Sequence, residues 1–265
     1  MLNFHYKDKY GFDDLVDLMV VLRKECPWDR EQTHKSIRGN FIEETYEAVE
    51  AIDTEDTNLL REELGDVLLQ VIFHACMEEE DGHWNISDVC DEVCKKLIHR
   101  HPHIFANENT TIGSAEEVLE VWESVKREEK GGGHVNAVER VAKSLPALMR
   151  AEKILGRAKK AGFDFETSHA VWDKLYEEMS ELRAATGQKS AEDELGDILL
   201  TVVSLARFLG IDAEQALYKA SDKFTRRFTL MDQISENGMA SLSRAELDGL
   251  WAEAKKLDRE RRKKK

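Results

Sequence analysis

The sequence predicts an all-α protein made of a duplicated helical module, and three observations carry that expectation. Apolar residues recur at three- and four-residue spacing through most of the 265 residues, while sustained apolar–polar alternation is absent. Only three prolines occur, Pro27, Pro102 and Pro146. The stretches ELGDVLLQVIF (63–73) and ELGDILLTVV (194–203) are near copies of one another, and repetition of this kind points to a repeated structural unit.

The elements justify themselves in order. In the first half IEETYEAVEAI (42–52) precedes ELGDVLLQVIF, then come KKLIHRHPHIF (95–105) and VWESVKREE (121–129). The second half repeats the series as YEEMSELRAA (176–185), ELGDILLTVV, DKFTRRF (222–228) and LWAEAKKLDRE (250–260). The gaps agree as well. Glu47 to Glu63 is 16 residues and Glu181 to Glu194 is 13, while Arg100 to Trp122 is 22 and Arg227 to Trp251 is 24. Between the copies, Gly131 to Gly133 oppose helix continuation and mark a joint. The reading is therefore a module over 1–128, a Gly-rich linker over 129–138 and a second module over 139–265, each of about four principal helices. Gly65 and Gly196, inside the ELGD helices, suggest close approach of a neighbouring helix. Each ELGD helix is apolar on nearly every side, which predicts that it is buried.

Composition excludes several classes. A formal charge of −15 disfavours a nucleic-acid backbone as partner, the basic tail RERRKKK reading as a solvated, frayed terminus. No apolar run is long enough to span a membrane, and the N-terminus lacks the apolar core of a signal peptide. A cytoplasmic protein is expected. Cys26, Cys76, Cys90 and Cys94 read as reduced, semi-buried thiols, because the second half holds no equivalent ligands for a zinc site.

The acidic residues carry the chemistry. Within EExxE the glutamates stand three and four residues apart, and the Glu and Asp of ELGD stand three apart, so each set crowds one side of a helix. Packing the two helices would converge Glu43, Glu44, Glu47, Glu63 and Asp66 in the first copy. The second copy would converge Glu177, Glu178, Glu181, Glu194 and Asp197. Neighbouring carboxylates raise one another's pKa. A divalent cation removes that cost, and all-oxygen ligation suits Mg²⁺ or Mn²⁺. A solvated acidic face is the plain reading of one EExxE, but not of two beside two ELGD helices. A di-iron site would use Glu-x-x-His pairs; Glu31–His34 and Glu80–His83 fit the letters, but the second module offers no counterpart.

Lys96 with Arg100, and Lys223 with Arg227, are i,i+4 pairs that suit either polyphosphate or ion pairs to the protein's own carboxylates. Trp122 and Trp251 sit at matched positions, as packing anchors or as base-stacking platforms. Glycine-rich phosphate loops are absent.

Beyond these readings, CPWDREQTH (26–34), EETYE, ELGD, RHPHIF and the second-half YEEMSE…ELGD…KFTRRF resemble the MazG family of nucleoside triphosphate pyrophosphohydrolases over nearly the whole chain. The resemblance implies a dimeric, all-α enzyme that uses Mg²⁺ and water to cleave (deoxy)nucleoside triphosphates to monophosphate and pyrophosphate. It implies metal ligation by Glu178, Glu181, Glu194 and Asp197, with Glu177 supporting, and matching positions Glu44, Glu47, Glu63 and Asp66. Glu177, Glu178 and Glu181 become the catalytic candidates. Lys174, Lys223, Arg227 and Trp251 become substrate contacts, matched in the first module by Lys96, Arg100 and Trp122. The first module departs at Asn40, where the second has Lys174, so the second module is expected to be the main hydrolytic one. The competing class is a non-catalytic helical interaction module with duplicated acidic faces.

Overall fold

A computed structural model of the chain describes residues 6–105, 114–115, 117–118, 121–122, 124–125, 138–235 and 238–263. Among the described residues every regular element is a helix. The chain divides into two compact units, Met1–Lys130 and Gly131–Lys265. The expected linker lies outside the described residues except for Val138.

In the first unit, α1 (Phe12–Glu25) starts where the Asp14 carboxylate accepts the Gly11 N–H at 2.8 Å. The short α2 (Pro27–Glu31) opens on a proline, whose missing N–H costs nothing at that position. Next, α3 (Arg38–Asp53) and α4 (Thr57–Glu80) form an antiparallel hairpin. The connection is short because Asp56 caps α4, accepting from the N–H groups of Asn58 (3.0 Å) and Leu59 (3.1 Å). A reciprocal Asn85–Asp88 cap begins α5 (Ile86–Arg100), and α6 (Pro102–Phe105) follows. Met19, Ile37, Ile72, Phe73, Cys76 and Met77 form the core. Burying Ile72 completely contributes about 1.5–3 kcal/mol.

Arg23, 8% exposed, holds the CPWD segment against this core. Its guanidinium donates to Glu80 on α4 and to the carbonyls of Asp29, Arg30 and Gln32. One side chain thus fixes α1, α2 and the end of α4 together.

The second unit contains α7 (Ala147–Lys160), α8 (Ser168–Ala184), α9 (Gln188–Phe208), α10 (Ala213–Ile234) and α11 (Arg244–Lys263), with a 3₁₀ turn at Met239–Ser241. The α8–α9 hairpin repeats the α3–α4 hairpin, and Gly187, at φ 91°, supplies the left-handed residue its turn requires. Thr167 caps α8 and Asp212 caps α10. The two hairpins each set an EExxE helix against an ELGD helix, as the duplication predicts. A second core of Leu230, Met231 and Ala254 joins α10 to α11.

Four expectations need correction. The ELGD helices are not buried on all sides: Leu64 (52%), Leu195 (49%) and Leu199 (49%) are exposed, because neighbouring helices of the same chain cover one side only. A Cβ built at Gly65 or Gly196 meets nothing within 4 Å, so no close helix approach explains those glycines. Cys90 and Cys94 are exposed rather than semi-buried, since they lie on an outer side of α5. Finally, α11 continues through Lys263, carrying most of the basic tail as helix instead of fraying.

Candidate metal centre

Each hairpin gathers three carboxylates. In the first unit Glu44 of α3 meets Glu63 and Asp66 of α4; in the second, Glu178 of α8 meets Glu194 and Asp197 of α9. In both, one carboxylate oxygen from each residue lies within 4.8 Å of the others. The geometry follows from the spacing: i,i+3 places Glu and Asp of ELGD on the α4 or α9 surface that meets the EExxE helix. Glu43 and Glu47, with Glu177 and Glu181, flank these triads on exposed positions.

Electrostatics mark the first triad as strained. Burial and the charges of Asp66, Glu47, Glu63 and Glu43 raise the pKa of Glu44. Burial raises Glu63 too, reinforced by Glu47, Asp66 and Glu62 and by a hydrogen bond with Glu47. In the second triad Lys174 intervenes, with its ammonium 2.7 Å from Glu177 Oε1 and 2.8 Å from Glu178 Oε1. Those bonds raise the lysine's own pKa. Partial desolvation of its carboxylate by the neighbouring groups raises Glu181, as do Glu178 and Glu194, against the opposing lysine.

Glu178 is 4% exposed, and its Oε2 is buried without a hydrogen-bond partner. A buried carboxylate oxygen left unpaired is costly. It sits in a triad of oxygen donors, the donor set that suits a hard divalent cation. The residues present therefore fit the Mg²⁺ that the sequence suggested.

The basic residues are placed differently. Arg227 Nε lies 3.0 Å from Asp258 Oδ2, and Arg226 pairs with the same carboxylate at 3.4 Å. Burial tends to raise Asp258, but hydrogen bonds from Arg227 and Arg226 outweigh it and hold the pKa down. The ion-pair alternative thus describes Arg227, with its partner on α11 rather than among the acidic motifs. Lys223 and Lys96 are exposed. The Arg100 guanidinium lies 5.2 Å from the centre of the Trp122 ring. Trp251 packs against Phe224 at 5.3 Å, beside the Leu230–Ala254 core. In place of the discounted Glu-x-x-His pairs, His34 and His83 both bind Glu78, and Glu80 binds Arg23. Sequence reasoning missed Arg23, Asp258 and Glu78. Their distant partners, Glu80, Arg227 and His34, lie 57, 31 and 44 residues away, so no short spacing announces them.

Two helical hairpins, each presenting a triad of carboxylates suited to a divalent cation, define a metal-dependent class of all-α protein. The MazG nucleotide pyrophosphohydrolase domain matches residues 32–105 and again residues 166–229. The chain is 40% identical over 249 residues to the nucleoside triphosphate pyrophosphohydrolase/pyrophosphatase MazG of Thermotoga maritima, covering 92% of this chain and 95% of that protein. It is 42% identical over 258 residues to the nucleoside triphosphate pyrophosphohydrolase of Escherichia coli K12, covering 93% and 97%. Residues covering 88% of the chain also match 49% of the YabN protein of Bacillus subtilis, at 42% identity. The chain belongs to the MazG family, and with it to the nucleoside triphosphate pyrophosphohydrolases.

Proposed function

We propose that the protein hydrolyses (deoxy)nucleoside triphosphates to monophosphate and pyrophosphate, with Mg²⁺ held by Glu178, Glu194 and Asp197 and water attacking the α-phosphorus. The observation that carries this reading is the triad itself, with the orphaned buried Oε2 of Glu178 inside it. Bound there, Mg²⁺ would neutralise phosphate oxygens and make water more acidic. Lys174 holds Glu178 in place from one turn away. Glu181, one turn after Glu178, completes the acidic set, as a further oxygen ligand or as the carboxylate that accepts the proton of the attacking water. Glu177, bound to Lys174, fixes that lysine. Lys223 is the phosphate contact on α10, while Arg227 would have to leave Asp258 to join it. In the first unit Glu44, Glu63 and Asp66 form the equivalent centre, with Glu47 beside it and Lys96, Arg100 and Trp122 as its substrate side.

The same reading includes a homodimer, supported by matched apolar positions that the single chain leaves exposed, Leu64 with Leu195 and Leu68 with Leu199. It includes a cytoplasmic location and no nucleic-acid partner, supported by the charge of −15. Among the described residues no helix is long and apolar enough to cross a membrane.

Product analysis over a panel of NTPs and dNTPs, with and without Mg²⁺, tests the reaction. Pyrophosphate with monophosphate, appearing only with the metal, is expected. Orthophosphate would overturn attack at the α-phosphorus, and no product from any nucleotide would overturn the enzyme reading.

A further inference from the structure

Beside the first triad lies a cleft of about 450 Å³, within the size range of small-ligand sites. Phe41 and Trp84 contribute aromatic surface, and His34, His74, Arg38 and Glu78 contribute polar groups. The cleft shares its two helices with the carboxylates. Phe41 is one turn before Glu44 on α3, and Arg38 is a turn further. At ~1.5 Å per residue they lie roughly 5–9 Å along the axis from the acidic centre. On the antiparallel α4, Val71 and His74 follow Asp66 in the matching direction. The distance is that between the phosphate end and the base end of one nucleotide.

The polar groups are ordered. His34 and His74 stack with centroids 4.9 Å apart and planes 3° from parallel, their Nδ1 atoms 2.6 Å apart. Glu78 receives His34 Nε2 at 2.9 Å on one oxygen and His83 Nδ1 at 2.8 Å on the other. Phe41 lies 5.7 Å from the His74 ring, tilted by 45°. Because His74 spends Nδ1 on His34, its Nε2 is left to meet a ligand's edge. Burial and the neighbouring His34 lower the pKa of His74, against the opposing charge of Glu78, and so favour the neutral ring.

Among the described residues, the matching positions of the second unit differ. Aligning Glu44 with Glu178 sets Phe41 against Leu175 and His34 against Ser168; aligning Glu63 with Glu194 sets His74 against Leu205. Leu175 and Leu205 are both buried. Where one hairpin opens a mixed aromatic and histidine cleft, the other packs leucine.

We infer that the first unit is the base-reading site of the protein: the Phe41–His74–Trp84 cleft receives the nucleobase of a triphosphate whose phosphates lie toward Glu44, Glu63 and Asp66. Aromatic surface and the Arg38 guanidinium suit a planar heterocycle, and ordered histidine nitrogens suit its hydrogen-bonding edge. The second unit holds the phosphates with far less discrimination among bases. The inference rests on the nucleotide reading above, since the base is placed by the phosphates.

The test is calorimetric titration of the full chain, with Mg²⁺, by α,β-methylene nucleoside triphosphates of all four bases and by inorganic tripolyphosphate. The methylene bridge resists cleavage at the α-phosphorus. Phe41→Leu combined with His74→Leu gives the first unit the second unit's residues. The double variant is expected to lose at least tenfold in affinity for the preferred nucleotide in one class of sites and to bind tripolyphosphate as the wild type does. His34→Ala, at an exposed position, provides an independent variant should the double one unfold, with a loss of at least threefold expected. Unchanged nucleotide affinity in a folded variant would overturn the inference, as would an equal loss for tripolyphosphate. Pyrophosphate release by the wild type separates the two readings. If it is present while the variants bind normally, the base site alone fails; if it is absent, the nucleotide reading fails and takes the base site with it.

Discussion

The two hairpins solve the same electrostatic problem in different ways. Both bring three carboxylates together, but among the described residues only the second places a cation of its own against them, Lys174, where the first has Asn40. In the first triad two of the three carboxylates, Glu44 and Glu63, have raised pKa values. In the second, the raised group is Glu181, outside the closest three. A lysine bound to Glu177 and Glu178 thus braces one centre from within the chain, while the other has its raised carboxylates to balance with a proton or an external cation. Duplication preserved the donor geometry and let the balancing charge diverge.

The largest expected effect comes from the centre that the lysine supports. Asp197→Asn or Glu178→Ala is expected to lose at least ~10²-fold in pyrophosphate release, the scale at which one preorganised electrostatic group acts in catalysis. Asp66→Asn is expected to cost much less of the total rate. Steady-state kinetics of the three variants on one nucleotide checks the asymmetry. Equal losses at Asp66 and Asp197 would break it, and retained activity in both second-unit variants would remove that centre from catalysis.

Swapping the divergent residue sharpens the comparison. Lys174→Asn strips Glu178, 4% exposed, of its bound cation. The lysine itself is partly exposed, so the cost falls between the ~0.2–1 kcal/mol of a surface pair and the ~3–5 kcal/mol of breaking a buried one. About 1–2 kcal/mol in the metal-free protein is expected from denaturant unfolding, with saturating Mg²⁺ recovering part of it. The reciprocal Asn40→Lys is expected to stabilise the metal-free first unit and to weaken its dependence on Mg²⁺. No change in either variant would mean that the lysine does not set the difference.

What the sequence made legible was local. EExxE and ELGD announce the triads because i,i+3 and i,i+4 spacings fix which residues share a helix surface, and the repeat supplies the partner helix. Contacts across long stretches of chain left no such mark. Arg227 looked equally ready for phosphate or for an acidic motif, and its partner proved to be Asp258, 31 residues on. His34 and His74 stand 40 residues apart, and the cleft they line has no sequence signature. Gly65 and Gly196 misled for the opposite reason. A helical glycine suggests a close neighbour, yet the space around both is open within the chain.

The smallest effect, and the most direct view of the difference, lies in pH. Glu44 and Glu63 have folded pKa values above those of the unfolded chain, so the metal-free fold binds their protons more tightly. Their contribution is fully present below the unfolded carboxylate range and is lost as pH rises through the raised values. Asp258 has the opposite sign: its pairs with Arg226 and Arg227 stabilise the second unit above the unfolded pKa, and that contribution is lost as pH falls through the lowered one. Metal reverses only the first of these, because a cation replaces the protons. Thermal midpoints measured with and without Mg²⁺ should therefore separate more at pH 7.5 than at pH 4.5. Glu63→Gln should raise the metal-free midpoint slightly at pH 7.5 and narrow the Mg²⁺ shift, whereas Asp258→Asn should lower the midpoint and leave the Mg²⁺ shift intact. A Mg²⁺ shift of the same size at both pH values would show that proton and metal do not compete for the first triad. Its raised carboxylates would then be a consequence of packing alone.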